Sequence, residues 1–162
     1  MNNIKIIKAD YRNKKQAGDI AFLLNEYAKD PMGGASPLPD TILNNVVPEL
    51  SKLVHAFSVL TYVEEKPAGL INCFEAFSTF SCKPLINIHD VIVLKDFRGM
   101  KLSQKMLAMV EAIAIEKSCC KLTLEVLSNN QAAQAAYQRF GFKSYELDPE
   151  MGIALFWQKE LI

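Results

Sequence analysis

Residues Asp90–Lys117 read "DVIVLKDFRGMKLSQKMLAMVEAIAIEK", and a change of hydrophobic period inside them decides the architecture. Val91, Ile92 and Val93 continue an apolar stretch that reads as strand. Past the turn, Leu102, Met106, Val110, Ile113 and Ala114 recur at intervals of three and four. That spacing predicts a helix from about Lys101 to Lys117 with one buried face. The first N–H groups of such a helix lack intrahelical partners and carry the positive end of its dipole, so the turn is suited to a phosphate. Arg98 and Lys101 add local positive charge, Gly99 lets backbone approach a ligand, and Ser103 is small. Lys101 supplies its backbone N–H without strain provided its φ is negative. A positive φ would store about 1–3 kcal/mol at that residue.

Outward from this stretch, 162 residues fit one domain, 1–162. Half of the residues are hydrophobic and 22% are charged, a composition for a packed core rather than disorder. Lys plus Arg and Asp plus Glu are both 18, so no global field draws the chain to nucleic acid or an anionic membrane. Cys73, Cys82, Cys119 and Cys120 have neither disulfide-framework nor zinc spacing, so no metal is expected and the thiols read as reduced and mostly buried. No signal-type or spanning apolar run is present, which points to a cytoplasmic protein without a membrane partner.

"IKIIKAD" alternates as a short strand, and "KKQAGDIAFLLNEYAKD" follows as a helix ending near Pro31. "PMGGASPLPD" is loop, a candidate substrate lip or a plain helix connector. Asp40 then caps a second helix interrupted by Pro48. "HAFSVLTYVEE", "LINCFEAFSTF" and "LINIHDVIVL" read as antiparallel strands, the first two joined by a turn at "EKPAG". Strand "KLTLEVL", helix "NQAAQAAYQRF", and closing strands "KSYELD" and "GIALFWQKEL" complete the chain. The expected fold is mixed α/β: a mostly antiparallel sheet of six to seven strands with flanking helices.

"LEVLSNNQAAQAAYQRFGF" puts Asn130, Ala133 and Tyr137 on one face of the helix that follows a strand. With "VIVLKDFRG" upstream, it resembles the Gcn5-related N-acetyltransferase (GNAT) superfamily. That family's signature is a strand, an Arg/Gln-x-x-Gly-x-Gly/Ala turn with helix, another strand, and an Asn-x-x-Ala-x-x-x-Tyr helix closed by Gly-Phe. The resemblance implies acetyl-CoA as co-substrate and a sheet splayed at the strand that receives it. The main chain of Val91, Ile92 and Val93 would meet the pantetheine arm, with an N–H around Ile92 as oxyanion donor. The pyrophosphate would sit on Arg98, Gly99, Met100, Lys101, Leu102, Ser103 and Gln104. Asn130 would bond the arm, and Tyr137 would stand near the sulfur as the acid; an isolated tyrosine at that place would read as core. Here Lys101 replaces the usual glycine and Ser103 a glycine or alanine.

"FEAFSTFSCKPLINIHDVIVLKDFRG" also resembles the polyamine (diamine) acetyltransferase branch, with Ile88-His89-Asp90 where that branch has Leu-Glu-Asp. His89 is then a base, or a strand histidine bonded to a neighbour. Asp30, Glu75 and Asp90 are acidic candidates for a cationic acceptor. Phe74, Phe77 and Phe80, three apart, do not match strand alternation; they read as core and loop packing with one facing away or marking a bulge. The expected activity is acetyl transfer by direct attack of a small primary amine in a ternary complex. A protein N-terminus or lysine as acceptor, and an acyl-CoA sensor without turnover, stand as alternatives. Phe156 and Trp157, on opposite faces of the last strand, make a homodimer a further expectation. Neither a G-x-G-x-x-G nor a P-loop motif supports nucleotide binding.

Overall fold

The computed structural model describes residues 3–145, 150, 152 and 154–161. In chain order it runs β1 (Ile4–Lys8), α1 (Lys14–Lys29), α2 (Asp40–Leu50), β2 (Ala56–Val63), β3 (Lys66–Ser78), β4 (Lys83–Val93), α3 (Leu102–Glu116), β5 (Leu122–Leu124) and α4 (Gln131–Phe140), with a 3₁₀ turn at Lys95–Phe97 before α3. The sheet order is β1-β2-β3-β4-β5. Every pairing is antiparallel except β4 with β5, which is parallel. A parallel neighbour requires a crossover, and α3 supplies it.

The central strands are buried on both faces, which is why Val59-Leu60 and Leu70-Ile71 are adjacent apolar pairs rather than an alternation. On one face, Met106, Leu107 and Val110 of α3 pack on Val59, Ile71, Ile86 and Ile88. On the other, Ile20 and Leu23 of α1 and Val47 of α2 pack on Leu60, Leu70 and Ile92. Each fully buried aliphatic side chain of this kind contributes about 1.5–3 kcal/mol. Gly69 lets β3 pack closely on β4 and α3, since a Cβ there would lie 2.9 Å from both the Ile92 carbonyl oxygen and Met106 Cε.

Several expectations change. The sheet has five strands among the described residues, not six or seven: residues 143–145 and 154–161 have no strand structure, and 146–149 lie outside the described residues. The edge strand β5 offers only three residues of ladder, too little to template a long neighbour. Pro39, not Asp40, is the N-cap of α2; Asp40 is its first residue, where its charge favours the helix dipole. Pro48 lies inside α2, two residues before its end, and does not interrupt it. The β2–β3 hairpin turns at Glu64 and Glu65, both with positive φ (48° and 63°), so Lys66 and Pro67 already belong to β3. All four cysteines are free, but only Cys73 is buried. Phe77 and Phe80 are exposed, and the bulge falls between Asn72 and Cys73.

Candidate active site

The β4–β5 ladder covers only Ile86–Ile88 against Leu122–Leu124. Beyond Ile88, β4 stays paired with β3 while its other edge opens among the described residues. Asn72 pairs with Asp90 and Cys73 with Ile88, so His89 is the extra residue of a bulge. The bulge resets which backbone groups face the opening. Before it, the Ile86 N–H donates to Lys121 O on the β5 side (3.2 Å); after it, the Leu94 N–H donates to Ala68 O, toward β3 (3.0 Å). Strand alternation then turns the Ile92 N–H into the β3 ladder and the backbone of Val91 and Val93 into the opening. The Ile92 side chain is buried against α1 and α2. Val91 and Val93 therefore turn their main chain to the opening, and Ile92 turns its main chain to β3.

The turn before α3 leads from this opening. Gly99 has φ 82°, and Lys101, the N-cap of α3, has φ 58° and ψ 28°. Of the two cases left open by the sequence, Lys101 takes the left-handed, strained one. The family's glycine at this position thus has a physical reason, and lysine bears a cost of about 1–2 kcal/mol. Lys101→Gly is expected to raise stability by about 1 kcal/mol, the relief of strain exceeding glycine's extra unfolded-state entropy. Chemical denaturation checks this, and a lower midpoint would show that the lysine is held without strain.

A cavity of about 270 Å³ adjoins the turn, lined among others by Val93, Arg98, Lys101, Ser103, Gln104 and Arg139. Gln104 Nε2 donates to the Ala136 carbonyl at 2.8 Å, tying α3 to α4. Leu102 is buried, and Met100 packs beside it, so these two contribute backbone rather than side chain to the turn. Arg139 escaped the sequence reading, although it falls three residues after Ala136 on the same helix face. Arg98 donates from Nε to Val93 O at 3.3 Å and pairs with Asp30 Oδ2 at 3.2 Å. A residue expected on the acceptor side thus holds one expected on the cofactor side.

Asn130 is the N-cap of α4: its Oδ1 accepts the Ala133 N–H at 3.2 Å, and its Nδ2 makes no hydrogen bond among the described residues. Gly141 closes the helix in the left-handed region at φ 107°. Tyr137 stands edge-on to Phe142, centroids 6.0 Å apart. Burial, then the charge of a nearby Tyr27, push its phenol up to about 12. Tyr27, from α1, reads in the sequence as an apolar position of that helix, at helical spacing with Ile20, Leu23 and Leu24, and not as a site residue. Burial, then Asp90 and Asp30, raise its phenol as well, so these side chains share one electrostatic environment.

The acidic candidates separate. Asp90 accepts from Asn72 Nδ2 at 2.9 Å. The Met32 N–H, and then Arg98, hold the Asp30 carboxyl below its usual range. Glu75 instead pairs with Lys117 at the end of α3, at 2.8 Å, on the sheet face away from α1. His89 is exposed at the bulge, its ring edge-on to Phe74 at 5.6 Å.

Splayed strands, a left-handed turn opening α3, and an asparagine-capped α4 are accompanied by a match to the acetyltransferase (GNAT) family over residues 20–142. The chain belongs to the GNAT acetyltransferase family. It is an N-acetyltransferase by family and fold. Its fold is similar to aminoglycoside N-acetyltransferase AAC(6′)-Iy in complex with CoA, with TM-score 0.77 and 17% identity over 99% of this chain and 97% of that one. A possible acetyltransferase from Clostridium difficile 630 gives TM-score 0.78 and 20% identity, covering 98% of each chain. Ribosomal-protein-alanine N-acetyltransferase from Brucella melitensis biovar Abortus 2308 gives 0.67 and 17% over 99% and 98%. No helix among the described residues is long and apolar enough to cross a membrane.

Proposed function

We propose that the protein transfers an acetyl group from acetyl-CoA to the primary amine of a small molecule, by direct attack in a ternary complex. The open edge of β4 leading straight into the basic turn of α3 carries this reading. Acetyl-CoA supplies an acyl group already activated as a thioester. The residues fit it: Arg98, Lys101 and Arg139 with the N–H groups opening α3 would hold the pyrophosphate, and Asn130 Nδ2 with the Val91 and Val93 backbone would hold the pantetheine arm. Direct attack is supported by Cys73, the thiol nearest Asp90 in register. It is fully buried, and burial followed by the Asp90 charge pushes it far up, leaving it protonated and a poor acyl carrier.

On the acceptor side Asp90 would hold the ammonium, with Asp30 beside it once Arg98 turns to phosphate. His89, exposed at the bulge, would accept the amine proton directly or through water. With Glu75 turned to α3, two carboxylates rather than three serve the acceptor. That suits a polyamine, a diamine or an amino-acid-like amine. AAC(6′)-Iy, solved also with the bisubstrate analogue CoA-S-monomethyl-acetylneamine, supports a small amine as acceptor. Free thiols fit a reducing cytoplasm. Exposed Leu155, Phe156 and Trp157 fit burial against a second copy, which light scattering would detect as a homodimer.

The test is calorimetric titration with acetyl-CoA, followed by thiol release with diamines, polyamines, aminoglycosides and N-terminal peptides. Binding with turnover on a small amine is expected. Turnover on peptides alone would replace the acceptor class, and binding with no turnover on any acceptor would leave a sensor.

A further inference from the structure

Behind Asp90 a row of polar side chains crosses the sheet face that carries the apolar cluster under α1. Tyr11, ahead of α1, meets Ser58 of β2 with 2.9 Å between hydroxyl oxygens. Ser58 Oγ donates to Asn72 Oδ1 of β3 at 2.6 Å, and Asn72 Nδ2 donates to Asp90 Oδ2 of β4 at 2.9 Å. Ser58 is fully buried and Asn72 is 4% exposed. Their neighbours along the same strands and on the same face, Leu60 and Leu70, belong to the apolar cluster under α1. Burying a serine and an asparagine there costs free energy unless every bond is made, and apolar residues would pack the sheet without that cost.

The donors of this row all point one way. Ser58 has one proton, and giving it to Asn72 leaves Tyr11 to donate to Ser58. Burial pushes the Tyr11 phenol up, which keeps it a neutral donor. Turning the Asn72 amide over would set its oxygen against a carboxylate oxygen 2.9 Å away, acceptor against acceptor. A row that ends on an ionised carboxylate therefore has one consistent direction. It fixes Oδ2 of Asp90, and Oδ1 carries no hydrogen bond among the described residues.

We propose that Asn72, locked by Ser58 and Tyr11, is a positioning residue that orients Asp90 so that its second oxygen receives the acceptor's ammonium. This rests on the acetyltransferase reading above and deepens it: the acceptor is a cation placed by a carboxylate whose rotamer is set from inside the sheet. Asn72 touches no reacting atom; it acts through Asp90, from the strand next to the bulge that carries His89.

The experiment is steady-state kinetics of the full chain with the best amine found in the screen, alongside thermal melting. Asn72→Ala is expected to lower kcat/KM for the amine about 30-fold, mainly by raising the amine KM, with the acetyl-CoA KM within about twofold. Asp90→Asn should cost at least as much. The double variant Asn72→Ala/Asp90→Asn should fall little below Asp90→Asn alone, because the two act as one unit. Ser58→Ala removes the anchor of the amide while leaving Asn72 in place, and should give a smaller loss, about threefold, with the same selectivity for the amine KM. It keeps the test decisive if Asn72→Ala does not fold. A network that only stabilises the sheet would lower the melting temperature without splitting the two KM values. Folded Ser58→Ala and Asn72→Ala with unchanged amine kinetics, or additive losses in the double variant, would overturn the inference alone. A wild-type protein that acetylates no amine would overturn the functional reading beneath it and the inference together.

Discussion

Tyr137→Phe is expected to lower kcat about 100-fold and leave the acetyl-CoA dissociation constant within about twofold, as loss of a donor that acts mainly in the transition state should. The hydroxyl makes no hydrogen bond among the described residues, while its ring packs on Phe142. Phenylalanine keeps that packing, so the variant separates chemistry from folding. The phenol, pushed up to about 12 by burial, stays neutral across any assay range. Burial also alters its role. Full transfer of its proton to a thiolate of pKa near 8.5 would be about 5 kcal/mol uphill, not the small cost of an ordinary phenol. On the proposed reading Tyr137 would therefore donate a hydrogen bond to the departing sulfur while water carries the proton. The pH profile of the wild type should accordingly show no basic limb owed to Tyr137 below about pH 11. A variant with wild-type kcat would remove Tyr137 from the chemistry and return it to the core.

What the sequence disclosed divides along the range of the interactions. Helices α3 and α4 carry unbroken three-to-four spacing, and their observed bounds differ from the expected ones by about a residue. Local pattern is enough where a helix buries one stripe. The splay is different: it depends on β5 pairing for three residues only, while "KLTLEVL" alternates well past that point. The bulge at His89 is equally silent, because "NIHDVIV" is apolar enough to read as strand in either phase, and a one-residue slip exchanges Ile92 for Val91 and Val93 at the open edge. The Asp30–Arg98 pair joins residues 68 apart in the chain, and Tyr11, Ser58, Asn72 and Asp90 sit in four separate segments. No single window contains either. Glu75 was legible in principle. It lies three residues from Asn72 on one strand, so alternation alone places the two on opposite faces.

Ser103→Asp should separate stability from binding by moving them in opposite directions. Ser103 is the second residue of α3, half-buried beside a cavity that also holds Arg98, Lys101 and Arg139. Among the described residues no side chain caps this helix, and no acidic residue lies in its first turn. An aspartate there meets the positive end of the helix dipole and three cations, so the protein without ligand should gain about 0.3–1 kcal/mol. The same carboxylate would occupy the ground that a pyrophosphate needs. Two like charges about 4 Å apart at an effective dielectric near 20 repel by about 4 kcal/mol, and the added side chain also competes for the α3 N–H groups. Part of that repulsion is offset by the surrounding cations, leaving a loss near 3 kcal/mol, or about 100-fold in acetyl-CoA affinity. Calorimetry and thermal melting on the same preparation check the pair of signs. Weaker binding with a lower melting temperature would mean only a damaged helix, and unchanged affinity would place the pyrophosphate away from the start of α3. Ser103→Ala is the control: it removes the hydroxyl, leaves the backbone N–H, and should bind acetyl-CoA within about threefold of the wild type, because on the proposed reading Ser103 contributes its backbone N–H rather than its hydroxyl.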